Sequence, residues 1–255
     1  MSYLQALTTI KDLKLMANTI RQDIINSLLL AKSGHTGGSL GMADIFTALY
    51  FNILNHNPLK PGWEERDILF LSNGHICPVM YAAMANSGYF PKEELKTLRK
   101  LGTRLQGHPH RTSLPGLESS SGPLGCGLSQ AAGTAHALKM DKKDNFVFCI
   151  TSDGEHQEGN TWEGVMYAAK YKLDNLIAIL DRNYIQIDGN TEDVMPLDPV
   201  KEKYLSFNWN VIEIHGNNMR EIVDGLTKAK KKNGKPTMII AKVTPGKGVS
   251  FVEGD

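Results

Sequence analysis

The sequence predicts an α/β protein with a doubly wound, mostly parallel sheet and helices on both faces. Apolar runs such as "NFVFCIT" (145–151) and "NLIAILD" (175–181) are too short for helices and apolar on both faces, as buried parallel strands are. Segments with helical spacing separate these runs, and such alternation is typical of a doubly wound sheet. The 255 residues are enough for one large domain or two small ones, and no repeat or low-complexity linker divides them.

The first part of the chain predicts three helices and one strand. "MADIFTALYFNIL" (42–54) and "PVMYAAMANSG" (78–88) have helical character, and "DILFLS" (67–72) has the pattern of a short strand. A further helix precedes them and is expected to end at Gly34. Its apolar positions at helical spacing are Ile10, Leu13, Ala17, Ile20, Ile24 and Leu28.

The remaining segments complete the alternation. "PLGCGLSQAAGTAHALKM" (123–140) is predicted to be a loop entering a helix rich in small residues, which would pack closely against a neighbour. "NVIEIHG" (210–216) and "TMIIAKV" (237–243) predict two more strands, separated by the helix "NMREIVDGLTKAKKKN" (218–233). Between the buried strands 145–151 and 175–181 we expect a helix. One face of it would contain Trp162, Val165, Met166, Ala169 and Leu173.

Composition argues against several classes of protein. The net charge is +1, with 28 Lys+Arg against 27 Asp+Glu, so neither nucleic acid nor a membrane surface is an expected partner. Three widely spaced cysteines without a Cys-x-x-Cys pair argue against disulfides and a zinc site. No apolar run approaches the roughly 20 residues of a membrane helix, and charges interrupt the N-terminal segment where a signal peptide would lie. We therefore expect a cytoplasmic protein.

Two polar loops follow the two buried strands. Asp153-Gly154 comes directly after the first strand and Asn183 after the next, and a right-handed crossover would bring both loops to the same edge of the sheet. Asp153, Asn183 and the carbonyl of Ile185 are hard oxygen ligands of the kind Mg²⁺ binds, and Gly154 would let the backbone approach a phosphate. The alternative is that Asp153 caps a helix and Asn183 makes an ordinary turn.

The segment "DGEHQEGNTWEG…LDNLIAILDRNYIQIDG" resembles the thiamine diphosphate motif of transketolases. Three further segments resemble the same family: "AKSGHTGGSLGMAD", "LSNGHICPVMY" and "QGHPHRTSLPGLESSSGPLGCGLS". The resemblance extends from about Leu15 to Phe251. It implies the thiamine diphosphate-binding fold, with thiamine diphosphate as cofactor and Mg²⁺ as metal, Ca²⁺ being an alternative. Asp153, Gly154 and Asn183 would then bind the cofactor, and Asp153, Asn183 and Ile185 the metal.

The resemblance also assigns roles to histidines and to one glutamate. Three of the eight histidines follow a glycine in a loop. The family implies that His35 and His108 are catalytic and contact the sugar, while His75 lies beside the cofactor diphosphate. Glu158 is expected to be the third catalytic residue, since it matches a family carboxylate at the contact between subunits. The alternative is a glutamate in the first turn of a helix, which the helix dipole also favours. The residues expected to line the thiazolium ring are Gly122, Pro123 and Leu124.

Transketolases normally carry a pyrimidine-binding domain and a C-terminal domain, to which no segment here corresponds. We therefore expect residues 1–255 to be a single diphosphate-binding domain, the N-terminal subunit of a split transketolase. It would transfer a two-carbon ketol unit between sugar phosphates together with a C-terminal partner subunit, most simply as an α₂β₂ assembly. The sugar stays open between pentose phosphates, a sulfosugar and a branched sugar.

Other functions are compatible with parts of this pattern. A deoxyxylulose phosphate synthase or the α-subunit of a 2-oxo acid dehydrogenase would use the same cofactor, but the Gly-His pairs and "GPLG" favour transketolase. A non-catalytic partner subunit could keep the fold without turnover. A dinucleotide-binding protein is disfavoured, because no G-x-G-x-x-G follows the first strand.

Overall fold

A parallel sheet is the centre of the computed structural model, which describes residues 7–254. Within these residues the sheet has five strands in the order β1-β2-β3-β7-β6, and every neighbouring pair is parallel. A two-stranded antiparallel hairpin, β4–β5, follows β3. The strands are β1 (Ile68–Leu71), β2 (Val147–Ser152), β3 (Leu176–Arg182), β4 (Ile185–Gln186), β5 (Gly189–Asn190), β6 (Asn210–His215) and β7 (Thr237–Lys242).

Helices cover both faces of the sheet, which confirms the predicted doubly wound fold. The α-helices are α1 (Ile10–Ala31), α2 (Gly37–Gly41), α3 (Ala43–Ala48), α4 (Cys77–Asn86), α5 (Gly127–Met140), α6 (Gly159–Lys170), α7 (Thr191–Val194), α8 (Val200–Ser206) and α9 (Met219–Ala229). Along β2, Phe148 and Ile150 pack into one apolar core with α1, α3, α4 and α9, while Val147 and Cys149 pack into a second core with α5, α6 and α8. Successive strand residues point to opposite faces, so apolar residues at every position are required.

Helix boundaries differ from the predicted ones in several places; α9, for example, ends at Ala229 rather than at Asn233. Helix α1 ends before Gly34, because Lys32 already adopts a left-handed conformation with φ of +54°. The helix expected over 42–54 begins earlier and is interrupted, with α2 and α3 separated at Met42 and a π-helical turn over Leu49–Ile53.

None of the helices within residues 7–254 combines the length and hydropathy needed to cross a bilayer.

The buried face of α6 is the predicted one except at Met166: Val165 and Leu173 are buried, and Trp162 and Ala169 pack against the same core. Met166 is 51% exposed, so its assignment to the packed face is wrong. Helix α6 lies instead against α5 through small residues, and a Cβ added at Gly164 would come within 2.8 Å of Ser129 Oγ. The close approach of the two helices turns the contact face away from the larger side chains. The residues that α6 buries are Thr161, Gly164, Val165 and Ala168.

The carboxyl ends of β2 and β3 meet at one edge of the sheet, as predicted. Ser152 is paired with Asp181 in the register of these strands. Asp153 therefore follows β2 beside the end of β3, from which the chain continues into Asn183 and the β4–β5 hairpin.

Candidate active site at the carboxyl edge of the sheet

A cavity of about 730 Å³ opens at this edge of the sheet. Nine of the eleven predicted site residues line it: His35, His75, His108, Gly122, Leu124, Gly154, Glu158, Asn183 and Ile185. Pro123 is exposed and does not line the cavity, and Asp153 lies fully buried rather than on the cavity surface. The lining also contains residues that were not predicted, among them Gly37, Gly38, Gln186 and Pro245.

Three loops bring the three Gly-His histidines together. The His35 ring centroid lies 5.1 Å from that of His75 and 6.2 Å from that of His108. His75 is in a 3₁₀ turn directly after β1, where a Cβ on Gly74 would lie 2.4 Å from Ser121 Oγ, so only glycine permits this approach.

The environment of these histidines favours their neutral form. Burial, followed by the nearness of His35 and His108, lowers the pKa of His75 to about 4. His35 and His108 are more exposed, and their pKa values are lowered by partial desolvation and then by neighbouring groups, which are His108 and Arg99 for His35 and Arg99 for His108. A neutral imidazole has one donor and one acceptor nitrogen. At neutral pH each ring can therefore donate a hydrogen bond to a hydroxyl or carbonyl oxygen and accept one from a hydroxyl group.

Asp153 is held by one carboxylate oxygen only. Its Oδ2 accepts a hydrogen bond from the Tyr184 backbone N–H at 2.6 Å and lies 3.1 Å from Arg182 Nη1. Its Oδ1 is buried and has no hydrogen-bond partner among residues 7–254. Burial raises the pKa of Asp153 to about 6, although the Arg182 charge acts in the opposite direction. Asp153 makes no side-chain capping bond, so the capping alternative does not explain it.

Asn183 and Ile185 lie on the cavity wall where β3 passes into the hairpin. Asn183 Oδ1 accepts a hydrogen bond from the Ile185 backbone N–H at 2.9 Å, which is the local turn that the alternative interpretation expected. An amide oxygen has a second lone pair, so this turn leaves Asn183 able to bind a cation.

These residues fit a magnesium diphosphate group. The unpartnered Asp153 Oδ1 is a buried anionic acceptor, and Asn183 and the Ile185 carbonyl add neutral oxygen ligands. No group of three His, Cys, Asp or Glu side chains suited to a metal occurs in the described part of the chain. A Cβ on Gly154 would meet only Gln186 Cβ at 3.4 Å, so packing within the protein does not require glycine there. A ligand that approaches the backbone closely at this position would require glycine.

The loop that carries Gly122 and Leu124 is fixed by a buried glutamate. Glu155 Oε1 accepts a hydrogen bond from Gly125 N at 2.8 Å and another from the Ser72 hydroxyl. Glu158, by contrast, is exposed at the N-cap position of α6, where its side chain makes no capping bond. Its carboxylate is therefore free to face the cavity or a neighbouring chain.

Sequence reasoning missed three buried charged residues beside the site. Glu155 holds the loop just described, and Arg182 binds Asp153. Asp181 is fully buried, neither of its oxygens has a hydrogen-bond partner among the described residues, and its pKa is raised well above the usual range by burial and by Asp153. The sequence did carry a signal for Asp181 and Arg182, because they end the otherwise apolar strand "LIAILDR". Buried charges are uncommon without a specific partner.

The family described as "Transketolase, thiamine diphosphate binding domain" matches residues 13–255. The chain belongs to the transketolase family. The predicted resemblance is therefore confirmed over its whole extent, and the cavity lies in a thiamine diphosphate binding domain.

Two relatives show which transketolases this family member is similar to. The 6-deoxy-6-sulfo-D-fructose transketolase subunit SqwG of Clostridium sp. (strain MSTE9) is 44% identical over 243 residues, or 95% of this chain and 88% of the relative. An apulose-4-phosphate transketolase subunit of Phocaeicola vulgatus is 39% identical over 245 residues, or 96% of this chain and 87% of the relative. These matches favour transketolase over the other thiamine diphosphate enzymes considered.

Solved transketolase structures have the same fold over this region. The Campylobacter jejuni transketolase superposes with a TM-score of 0.93 at 38% identity, covering 97% of this chain and 40% of that one. The Leishmania mexicana transketolase superposes with a TM-score of 0.90 at 33% identity, covering 95% and 38%. The chain thus spans about two-fifths of the length of these transketolases.

Proposed function

We propose that this chain is the diphosphate-binding subunit of a split transketolase. The observation that carries the proposal is the cavity, which joins a cluster of three neutral histidines to a buried aspartate with one unpartnered oxygen. The first arrangement suits a polyhydroxylated substrate and the second suits a metal-bound diphosphate. Two relatives that the chain matches over most of their length carry the word subunit in their names.

The cofactor would be held through its diphosphate. Asp153 Oδ1, the Asn183 amide oxygen and the Ile185 carbonyl would bind Mg²⁺, with Ca²⁺ as the alternative ion, while the backbone at Gly154 would approach a phosphate oxygen. When bound, thiamine diphosphate supplies the stabilisation of negative charge on carbon that ketol transfer needs.

The chain's own histidines would orient the substrate. His35 and His108 would bind hydroxyl and carbonyl oxygens of the sugar, and His75, the most buried of the three, would lie beside the diphosphate. Gly122 and Leu124, which line the cavity, would line the thiazolium ring, whereas Pro123, expected beside them, is exposed and outside the cavity lining. These groups act by binding and alignment, which is how enzymes make a cofactor reaction intramolecular.

A partner chain would complete the site. It would supply the pyrimidine-binding and C-terminal domains, with Glu158 at the contact between chains, in an α₂β₂ cytoplasmic assembly. We further propose that residues 1–255 act as one diphosphate-binding domain. The substrates would be ketose and aldose sugars with an anionic end: pentose phosphates first, with 6-deoxy-6-sulfofructose and apulose 4-phosphate as alternatives, because the two relatives are named for those sugars.

Reconstitution tests this function. The purified chain is mixed with its C-terminal counterpart, Mg²⁺ and thiamine diphosphate, and ketol transfer is measured on the three donor sugars. We expect transfer by the mixture and none by either chain alone. Robust turnover by the single chain would refute the split-enzyme proposal, and a mixture that binds the cofactor without transferring ketol groups from any donor would favour a non-catalytic role.

A further inference from the structure

A buried arginine connects the proposed metal site to the segment that follows it. Arg182 ends β3 and is only 1% exposed. Its Nη1 lies 3.1 Å from Asp153 Oδ2, and its Nη2 lies 2.6 Å from Glu192 Oε1 and 2.9 Å from Asp198 Oδ2. The guanidinium also lies 4.0 Å from the centre of the Tyr184 ring. One cation is therefore shared by three carboxylates from three parts of the chain.

Glu192 extends this connection to the backbone. Its Oε1 accepts a hydrogen bond from the Leu197 N–H and its Oε2 accepts one from the Asp198 N–H, both at 3.2 Å. The segment from α7 to Asp198 is thus closed on itself by Glu192 and attached to β3 by Arg182. This segment follows directly on the β4–β5 hairpin, two of whose residues, Ile185 and Gln186, line the cavity.

The contacts also determine which oxygen of Asp153 is left free. Both the Tyr184 N–H and Arg182 contact Oδ2, and Oδ1 has no partner among residues 7–254. If the carboxylate rotated, Oδ1 could take the place of Oδ2 against Arg182 and no oxygen would be reserved for a cation. Arg182 Nη1 makes no hydrogen bond to Asp153, so it opposes such rotation through its charge, which lies beside Oδ2. That charge is held in place by the hydrogen bond that Nη2 donates to Glu192 Oε1 at 2.6 Å, and a single Lys ammonium could not keep both contacts.

From this arrangement we propose that Arg182 is a positioning residue for the metal site, and that Glu192 acts on the site through it. This inference rests on the proposed function, because it concerns the Mg²⁺ that Asp153 would bind. Arg182 fixes the orientation of Asp153, and Glu192 fixes the orientation of Arg182. The two carboxylates outside the site also offset the repulsion that a nearby cation would exert on a divalent ion.

The charge of Arg182 and its geometry should affect metal affinity in opposite directions. Without the charge, repulsion of the metal falls and affinity should rise; without the fixed geometry, affinity should fall. Arg182→Lys separates these effects, since it keeps the charge and removes the planar fork. Loss of a group that orients a metal ligand typically weakens metal binding by about 10- to 100-fold.

The experiment measures Mn²⁺ binding by electron paramagnetic resonance in the complex with the C-terminal chain and thiamine diphosphate. We expect Arg182→Lys to weaken Mn²⁺ binding by about tenfold or more. The matched control is Arg104→Lys, which alters another two-nitrogen contact, the one that Arg104 makes with Glu94 at 2.7 and 2.8 Å on the surface, and should leave Mn²⁺ affinity unchanged.

Glu192→Gln tests the proposed order of contacts and does not depend on the folding of the Arg182 variant. It should weaken Mn²⁺ binding several-fold in the wild-type background and add little to Arg182→Lys, because the two residues act in series. Full additivity would overturn this order, and wild-type affinity in both variants would overturn the positioning role. A lower unfolding temperature with unchanged Mn²⁺ affinity would likewise show a merely structural arginine.

Asp153→Ala distinguishes this inference from the proposed function. Loss of Mn²⁺ binding in Asp153→Ala with wild-type binding in Arg182→Lys would refute only the positioning role. Unchanged Mn²⁺ binding in Asp153→Ala, or none in the wild-type complex, would refute the proposed metal site and this inference with it.

Discussion

Replacing Asp153 by Asn should stabilise the metal-free protein while removing the proposed metal site. The carboxylate is fully buried, and its pKa is raised to about 6 from 3.8, because burial outweighs the attraction of Arg182. At roughly 1.4 kcal/mol per pH unit, the buried charge destabilises the metal-free fold by about 3 kcal/mol at neutral pH. Asparagine has nearly the same shape and keeps an acceptor for the Tyr184 N–H, so most of that energy should be recovered.

The gain should depend on pH with a definite sign. Between pH 3.8 and about 6 the folded state binds more protons than the unfolded state, so the wild-type contribution of this group falls as the pH rises. The advantage of Asp153→Asn should therefore be largest above pH 6 and should disappear near pH 4. Urea unfolding in the presence of a chelator, at pH 7.5 and at pH 4, measures both values.

Asp174→Asn is a matched control with the opposite expectation. Burial alone would raise the pKa of Asp174, but hydrogen bonds from Lys139 Nζ at 2.9 Å and Gly234 N at 3.1 Å lower it. The same substitution there should reduce the free energy of unfolding at pH 7.5. An Asp153→Asn variant that is no more stable than wild type at pH 7.5, or whose advantage persists at pH 4, would refute the reasoning.

Three further predictions concern the cavity and the packing beneath it. In the complex, His75→Ala should weaken thiamine diphosphate binding measured by calorimetry. His35→Ala and His108→Ala should instead change kcat or KM and leave cofactor affinity nearly intact. Identical behaviour of all three variants would contradict this division of roles. His156 is buried and its pKa is lowered to about 4, so its contribution to stability is complete above pH 6.5 and falls by up to about 3 kcal/mol as the pH drops towards 4. In urea unfolding, His156→Gln should therefore lose less stability between pH 6.5 and pH 4 than the wild type does. An unchanged slope of stability against pH would contradict this role of His156. Gly125→Ala should lower the free energy of unfolding by more than about 1 kcal/mol, because φ is +83° and a Cβ would lie 2.7 Å from a neighbouring glutamate Cβ; a neutral effect in the same assay would mean that the loop can shift.

The parts of the fold that depend on local pattern could be predicted from the sequence. Short runs such as 145–151 and 175–181, apolar on both faces, are compatible with strands covered on both sides, and the structure has them at the centre of the sheet. The parallel order of β2 and β3 then requires the residues after them to meet at one edge. The neighbouring loops of Asp153 and Asn183 followed from that argument alone.

Other features depended on contacts between distant segments. The spacing of apolar residues in α6 favoured Met166 as buried, but the small residues of α5 set the contact face, and Met166 is exposed. In the same way, the family pattern marked Asp153 as a ligand but carried no information on Arg182, whose partners come from separate loops. Local sequence determines the direction in which a side chain leaves its helix or strand. Its neighbours there, and hence the burial, pKa and free oxygen of a group such as Asp153, are decided only when the loops pack together.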